Sequence, residues 1–234
     1  MGVYITKEKV IVEDVGKDFK MNNRSFLRIL QEAANRASTA VGHGIADIEK
    51  NKTTWVLLYW RIKILKRAKY NDELTIKTWA SFNKKIYSIR SFEIYLEDEL
   101  IAFADSKWVF VDATTHSILK IPDEIMQTYG QVEDRVFEEE FKDKFKLPDN
   151  LTEKLSYETM KRDLDVNHHV NNIAYLDIAS EILSDDLLQD ATEIAVVYKK
   201  EITYKDIITC YCQDDTVYLY NKEKNILNGI VKIK

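Results

Sequence analysis

The sequence predicts an α+β protein of two tandem units joined side by side, each a long helix wrapped by an antiparallel sheet. Two observations predict it. Hydrophobic periodicity switches from helical to alternating once in each half of the 234-residue chain. A helix start also recurs, with Met21-Asn22-Asn23-Arg24-Ser25-Phe26-Leu27 lying over Val170-Asn171-Asn172-Ile173-Ala174-Tyr175-Leu176. Repetition of one supersecondary unit favours duplication over a single irregular domain. On this reading residues 1–125 form the first unit, 126–150 a linker and 151–234 the second.

In the first unit the N-terminal MGVYITKEKVIVED alternates charged and apolar residues, which is a strand pattern and not a signal or transit peptide. Asn23 is placed to cap a helix from about Ser25 to Val41, and Gly42 and Gly44 to end it. Its apolar face, Phe26, Leu27, Leu30, Ala33, Ala34, Ala37 and Val41, is rich in small residues and suits close enclosure by a sheet. Strand-like runs begin at Thr53, Glu73, Tyr87 and Leu100, the last two joined by a turn at Glu97-Asp98-Glu99. A polar stretch from Pro122 to Pro148 reads as a linker with a short helix. The pattern then restarts with KLSYETMKRDLDV, a helix from Asn172 to Leu183, and strands from Glu193, Ile207, Thr216 and Ile226. Sheets of two such units can join edge to edge and cover their exposed edges.

Composition narrows the function. Residues 1–130 carry 20 Lys+Arg against 17 Asp+Glu, and residues 131–234 carry 14 against 22, so the net charge of −5 divides into a mildly basic and an acidic part. A basic half is suited to steering an acidic partner, while nothing in it calls for nucleic acid. No apolar run is long enough to span a bilayer, so no membrane is expected and a cytoplasmic location is. Cys210 and Cys212 share one face of a strand, poor geometry for a disulfide and half of any zinc site, so they read as structural and no metal is expected.

Asp165-Val166-Asn167-His168-His169-Val170-Asn171-Asn172 is the least ordinary segment. It places an acid, an amide and imidazoles ahead of a helix start, where backbone N–H groups hold negative charge. In an extended approach Asp165, Asn167 and His169 share a face and His168 points away. Capping explains the asparagines that both units keep. It does not explain the acid–amide–histidine set, because the matching residues of the first unit are Gly16, Asp18 and Lys20. Overlaying Leu58-Tyr59-Trp60-Arg61-Ile62 on Val197-Tyr198-Lys199-Lys200-Glu201 puts Glu201 where the first unit has an isoleucine, and an acid on a central strand needs a partner or a function.

RDLDVNHHVNNIAYLDIASEIL resembles the signature of the acyl-acyl carrier protein thioesterases, and VVYKKEITYKD resembles their second motif, a Glu after a basic pair. YNDELTIKTWASFNKK and FADSKWVFVDATT are similar to the family as well, and the likeness spans nearly the whole chain with its motifs in order. The resemblance implies two tandem hot-dog folds and a cofactor-independent hydrolase of fatty acid biosynthesis that releases fatty acid from acyl carrier protein. Carried over by position, the catalytic residues fall on Asp165, Asn167, His169 and Glu201. Plant members have a Cys after the Glu, whereas this chain has Ile202, which removes a thiol nucleophile from that place. The lack of a transit segment resembles the shorter bacterial members.

The chemistry the resemblance implies gives Glu201, helped by His169, the task of orienting and deprotonating water, with Asp165 fixing the histidine. Asn167 and the helix-start N–H groups hold the developing oxyanion; a carboxylate nucleophile forming a mixed anhydride is the alternative. The acyl chain is expected in the first unit against Trp55, Leu57, Tyr59, Ala37 and Val41. Basic candidates for docking an acidic carrier protein are Arg61, Lys63, Arg67, Lys69, Lys84 and Lys85. The competing functions are a hot-dog acyl-CoA thioesterase, a hot-dog dehydratase and a non-catalytic acyl-binding sensor, and either a monomer or a homodimer is compatible.

Overall fold

The computed structural model describes residues 2–83 and 86–234, so Lys84 and Lys85 lie outside the described residues. The chain divides into two compact units, Met1–Glu140 and Phe141–Lys234.

In the N-terminal unit β1 (Tyr4–Lys9) leads through a single 3-10 turn into α1 (Asn23–Ala40), a short α2 (Ile48–Asn51) follows, and then come β2 (Thr53–Ile64), β3 (Glu73–Asn83), β4 (Tyr87–Leu96), β5 (Glu99–Asp112) and α3 (Asp123–Tyr129). The strands pair antiparallel in the order β1-β3-β4-β5-β2. The turn between β4 and β5 places Glu97 in the left-handed region at φ 55°. α1 begins two residues before the sequence suggests, because Asn22 rather than Asn23 is its cap: the Asn22 amide oxygen accepts from Ser25 N at 2.9 Å and from Ser25 Oγ at 2.9 Å. Phe26, Leu27, Ile29, Leu30, Ala33 and Ala37 are buried on this helix. The alanines leave its backbone close to the sheet, which presents Trp60, Ile62, Ile76, Phe92 and Ala104 to the same core.

The C-terminal unit repeats the plan with β6 (Glu153–Glu158), α4 (Asn172–Ser180), α5 (Asp185–Asp190), β7 (Glu193–Tyr198), β8 (Ile207–Gln213), β9 (Thr216–Asn221) and β10 (Ile226–Ile233). Its order, β6-β8-β9-β10-β7, is that of the first unit strand for strand. α4 stops at Ser180 and not at Leu183, and the next helix is capped separately by Ser184, whose hydroxyl accepts from Leu187 N at 3.3 Å. Cys210 is buried and Cys212 half-buried on β8, both as free thiols, and burial pushes the Cys210 thiol up to about 12.

The duplication extends to individual backbone bonds. Asn22 N donates to Asp14 O and Asn171 N to Asp163 O, at 2.9 and 2.7 Å. Val10 N donates to Asp72 O and Thr159 N to Asp206 O, at 2.9 and 3.0 Å. Met21 N donates to Ala68 O and Val170 N to Ile202 O, both at 2.8 Å.

Residues 130–140 are not a free linker. Gln131 bridges Ala80 beyond the end of the β1–β3 pairing, Trp79 Nε1 donates to Asp134 O at 2.6 Å, and Arg135 meets the buried Asp105 carboxylate at 3.1 Å. Phe137 lies under the Arg61 guanidinium at 3.9 Å. This strap therefore crosses the sheet face that α1 leaves open. Among the described residues no helix is long and apolar enough to cross a membrane.

Candidate active site

The segment ahead of α4 is a tight turn and not the extended run the sequence suggests. Leu164 and Val170 bridge antiparallel, Asp165 N donates to His169 O at 2.7 Å, His168 N donates to Asp165 O at 3.1 Å, and His168 takes φ 62°. A left-handed residue closes a turn that alternation cannot describe, and histidine is among the types that tolerate it. The Asp165 carboxylate stabilises this turn through the backbone: its Oδ1 accepts from Asn167 N at 2.8 Å and His169 N at 3.2 Å. It thus positions His169 through the main chain rather than through the imidazole. Asn167 is exposed at the turn's tip. Asn171 closes the segment as helix cap, accepting from Ile173 N at 2.9 Å.

His169 is pinned by a bridge to Thr203, next to which Val170 N donates to Ile202 O. The same pairing carries Glu201 alongside, and His169 Nδ1 lies 3.5 Å from Glu201 Oε2, with the two side chains 33 % and 56 % exposed. That separation is within ion-pair range and longer than a formed hydrogen bond. Glu201 is thus open to solvent and yet turned to the imidazole. The half-open carboxylate and imidazole face each other in contact with solvent.

Glu201 does not lie on a strand. β7 ends at Tyr198, and by backbone bonding the counterpart of Glu201 in the first unit is Arg67, one residue before Ala68, and not Ile62. The correction sharpens the contrast between the units. Where the second has Asp165, Asn167, His169 and Glu201, the first has Gly16, Asp18, Lys20 and Arg67, and Arg67 donates to Met21 O at 2.8 Å and Asn23 Oδ1 at 2.7 Å. One frame closes on itself and the other presents an acid and an imidazole.

Three residues that sequence reasoning did not single out hold the connection from Lys200 to Thr203, which carries Glu201, in place. Asn228 is the extra residue of a bulge in β10; its side-chain Nδ2 donates to Lys200 O at 3.3 Å and Glu201 O at 3.1 Å. Tyr175 Oη donates to Lys200 O at 3.1 Å, and its buried ring lies so close to Gly229 that a Cβ there would be 2.6 Å from it. Asp206 Oδ2 accepts from Thr203 N at 2.9 Å and Thr203 Oγ1 at 3.0 Å and pairs with Lys224. Burial works against the Asp206 anion, but Lys224 and the Thr203 donors outweigh it and hold its pKa below the usual value. For Asp206 a sequence signal existed, since Tyr70-Asn71-Asp72 recurs as Tyr204-Lys205-Asp206, and Lys69 N donates to Asp72 Oδ2 at 2.8 Å in the same way. A bulge and a side chain reaching back to a carbonyl leave no comparable trace.

The N-terminal unit contains a cavity with about 580 Å³ of atom-free space counting its open mouth. Trp55 lines it, whereas Leu57, Tyr59 and Ala37 are buried outside its wall and Val41 is not part of the wall either. A bulge between Leu57 and Tyr59 breaks the alternation that puts these three β2 side chains together. Of the basic residues, Arg61 stacks on Phe137 and Arg67 is bonded within its own unit, while Lys63 is half-exposed opposite Phe103 on β5 and Lys69 is exposed.

Residues 2–129 match the acyl-ACP thioesterase N-terminal domain and residues 148–232 the acyl-ACP thioesterase C-terminal domain. A chain matched by both domains over most of its length is an acyl-ACP thioesterase family protein, and this chain belongs to that family. It is 27 % identical over 223 residues to the chloroplastic oleoyl-acyl carrier protein thioesterase of Coriandrum sativum, covering 86 % of this chain and 60 % of that one. Against oleoyl-acyl carrier protein thioesterase 2 of Arabidopsis thaliana it is 28 % identical over 234 residues, covering 90 % and 63 %. The chain thus spans about 60 % of the length of these curated relatives. In fold it is similar to an acyl-ACP thioesterase from Bacteroides thetaiotaomicron, with TM-score 0.86, 18 % identity and coverage of 99 % and 98 %. It is likewise similar to the 12:0-ACP thioesterase of Umbellularia californica, with TM-score 0.84, 19 % identity and coverage of 99 % and 96 %. Each unit is a hot-dog fold, a helix enclosed by an antiparallel sheet.

Proposed function

We infer that the protein hydrolyses fatty acyl thioesters of acyl carrier protein to free acid and carrier thiol. The observation that carries this reading is the His169–Glu201 pair at 3.5 Å, present in the unit whose duplicate has Lys20 and Arg67 on the same frame. The family and the names of its relatives support the thioester and its carrier.

Hydrolysis requires an activated water, a polarised carbonyl and a thiolate that leaves. In this reading a water held between His169 and Glu201 gives up its proton to the pair as it attacks the carbonyl carbon. Glu201 stabilises the imidazolium so formed, and the imidazolium returns the proton to the departing sulfur. Asn167 at the tip of the turn donates to the carbonyl oxygen as negative charge grows. Asp165 keeps the turn closed, so that Asn167 and His169 hold their places before substrate arrives.

Steady-state assay of His169→Ala and Glu201→Gln with acyl carrier protein and with acyl-CoA substrates of one chain length tests this. Loss of a general base lowers turnover by about a hundredfold or more. Undiminished turnover in both variants refutes the assignment, and higher kcat/KM on acyl-CoA than on the carrier refutes the carrier reading alone. A single turnover in ¹⁸O-labelled water separates water attack from a carboxylate nucleophile, because only the latter puts label into Glu201 or Asp165.

A further inference from the structure

The cavity of the N-terminal unit contains a buried cation. Arg90, on β4, is 6 % exposed and lines the cavity with Trp55, Phe82 and Trp108. Its Nη1 donates to Thr78 Oγ1 at 3.3 Å and its guanidinium carbon lies 5.4 Å from the centre of the Tyr129 ring. Among the described residues no carboxylate pairs with it: Glu8 and Glu32 are held by Arg36, Asp14 by Arg28, and Asp105 by Arg135. Asp105 also belongs to the opposite sheet face, since it opposes Ser91, the residue after Arg90. Burial holds the Arg90 pKa below the usual arginine value, with Tyr129 the one titratable group that offsets it. An arginine remains protonated under such pressure. A guanidinium kept in an apolar wall without a carboxylate partner from the chain is costly, and the cavity it lines has room for an anion.

The remaining wall divides by polarity. Ile45, Ile48 and the aromatic rings supply an apolar body, while Ser38 and His43 accompany Tyr129 at the polar part. The Tyr129 hydroxyl donates to Ser38 Oγ at 3.0 Å and accepts from Trp55 Nε1 at 3.1 Å, and the His43 ring stacks on Tyr129 with centroids 6.0 Å apart. Burial lowers the pKa of His43, so it adds a neutral donor and no second cation. Apolar walls with a few convergent polar groups are the make-up of a small-molecule site.

We propose that this cavity binds an aliphatic chain ending in a carboxylate, with Arg90 as the counter-ion of that carboxylate. Two molecules carry this chemistry, a released fatty acid and an acyl group with a second carboxyl at its far end. The proposal rests on the acyl-binding reading above, and its test measures binding without turnover so that the two fail separately.

Calorimetric titration of the full chain with dodecanoate and with dodecanol is the experiment. Dodecanoate is expected to bind at least tenfold more tightly, Arg90→Met to remove that preference, and dodecanol affinity to stay within about twofold. Equal affinity for acid and alcohol, or a preference that survives Arg90→Met, overturns the proposal. Should Arg90→Met not fold, Thr54→Trp narrows the cavity from its half-exposed wall, and dodecanoate affinity unchanged in it overturns the proposal as well. Hydrolysis assigns the source. Faster turnover of the carrier half-thioester of dodecanedioate than of dodecanoyl carrier assigns the carboxylate to the far end of the acyl chain. Competitive inhibition by dodecanoate without that preference assigns it to the released acid, and neither effect refutes the site.

Discussion

At the scale of single residues, two acids around the proposed site, Asp165 and Asp206, have different work. Asp165 accepts two backbone N–H bonds, a role that an amide oxygen can also perform. Asp165→Asn should therefore keep most of the activity, while Asp165→Ala loses the turn, about 1.5 kcal/mol of stability and most of the turnover. Urea denaturation and kcat measured on both variants check this, and equal loss in the two would make the carboxylate itself chemically necessary. Asp206 gives a pH-dependent counterpart. Its native pKa is depressed, so its contribution to stability is complete above the ordinary aspartate value of about 3.9 and is lost as pH falls through the lower native value. Replacing it with Asn should reduce stability at pH 7 and flatten the acid limb of a stability–pH curve, and because Thr203 then loses its anchor, His169 should lose turnover as well. The acid–amide–histidine set was legible in the sequence because the duplicate lacks it. The way Asp165 uses its carboxylate was not, since a side chain bonded to its own turn looks the same in one dimension as one pointing outward.

At the scale of elements, duplication supplies an internal control. α1 and α4 are both capped by the first residue of an Asn pair whose second residue opens the helix, Asn22 in one and Asn171 in the other. Loss of either cap should cost about 1 kcal/mol. Asn171→Ala should also lower kcat, because the lost side-chain cap joins α4 to the segment that ends two residues earlier at His169, whereas Asn22→Ala should change stability with kcat intact. Thermal melts paired with steady-state rates distinguish the two, and an equal effect on kcat would refute the asymmetry between the units. Nine of the ten strands among the described residues were legible from alternation and β-branched content, and β6 only as the point where the pattern restarts. What alternation cannot report is a bulge. The one between Leu57 and Tyr59 moves Tyr59 away from the cavity, and the one at Asn228 creates the support under Glu201. In both cases one inserted residue changes which face a side chain takes.

At the scale of the whole molecule, charge and connectivity matter most. The overlay of Glu201 on a strand failed because sequence comparison aligned a β-strand with the connection that follows one, and only hydrogen bonding shows Arg67 as the counterpart. With Arg67 bonded inside its own unit and Arg61 stacked on Phe137, the docking candidates among the described residues reduce to Lys63 and Lys69. Lys63→Glu with Lys69→Glu should raise KM for acyl carrier protein several-fold, leave small thioesters unaffected, and lose its effect at high salt, where surface charges are screened. Kinetics at two ionic strengths check it, and an equal rise for both substrates would refute docking there.

Residues 130–140 have a practical consequence for any chimera built from this chain. Because Trp79, Arg61 and the buried Asp105 are covered by this segment, a hybrid joined near residue 126 leaves the first sheet with a foreign cover or none. It would then show a bare edge on β3 and an unneutralised acid, the conditions for clumping during expression. Crossing over after Glu140 keeps the native strap with the half it shields.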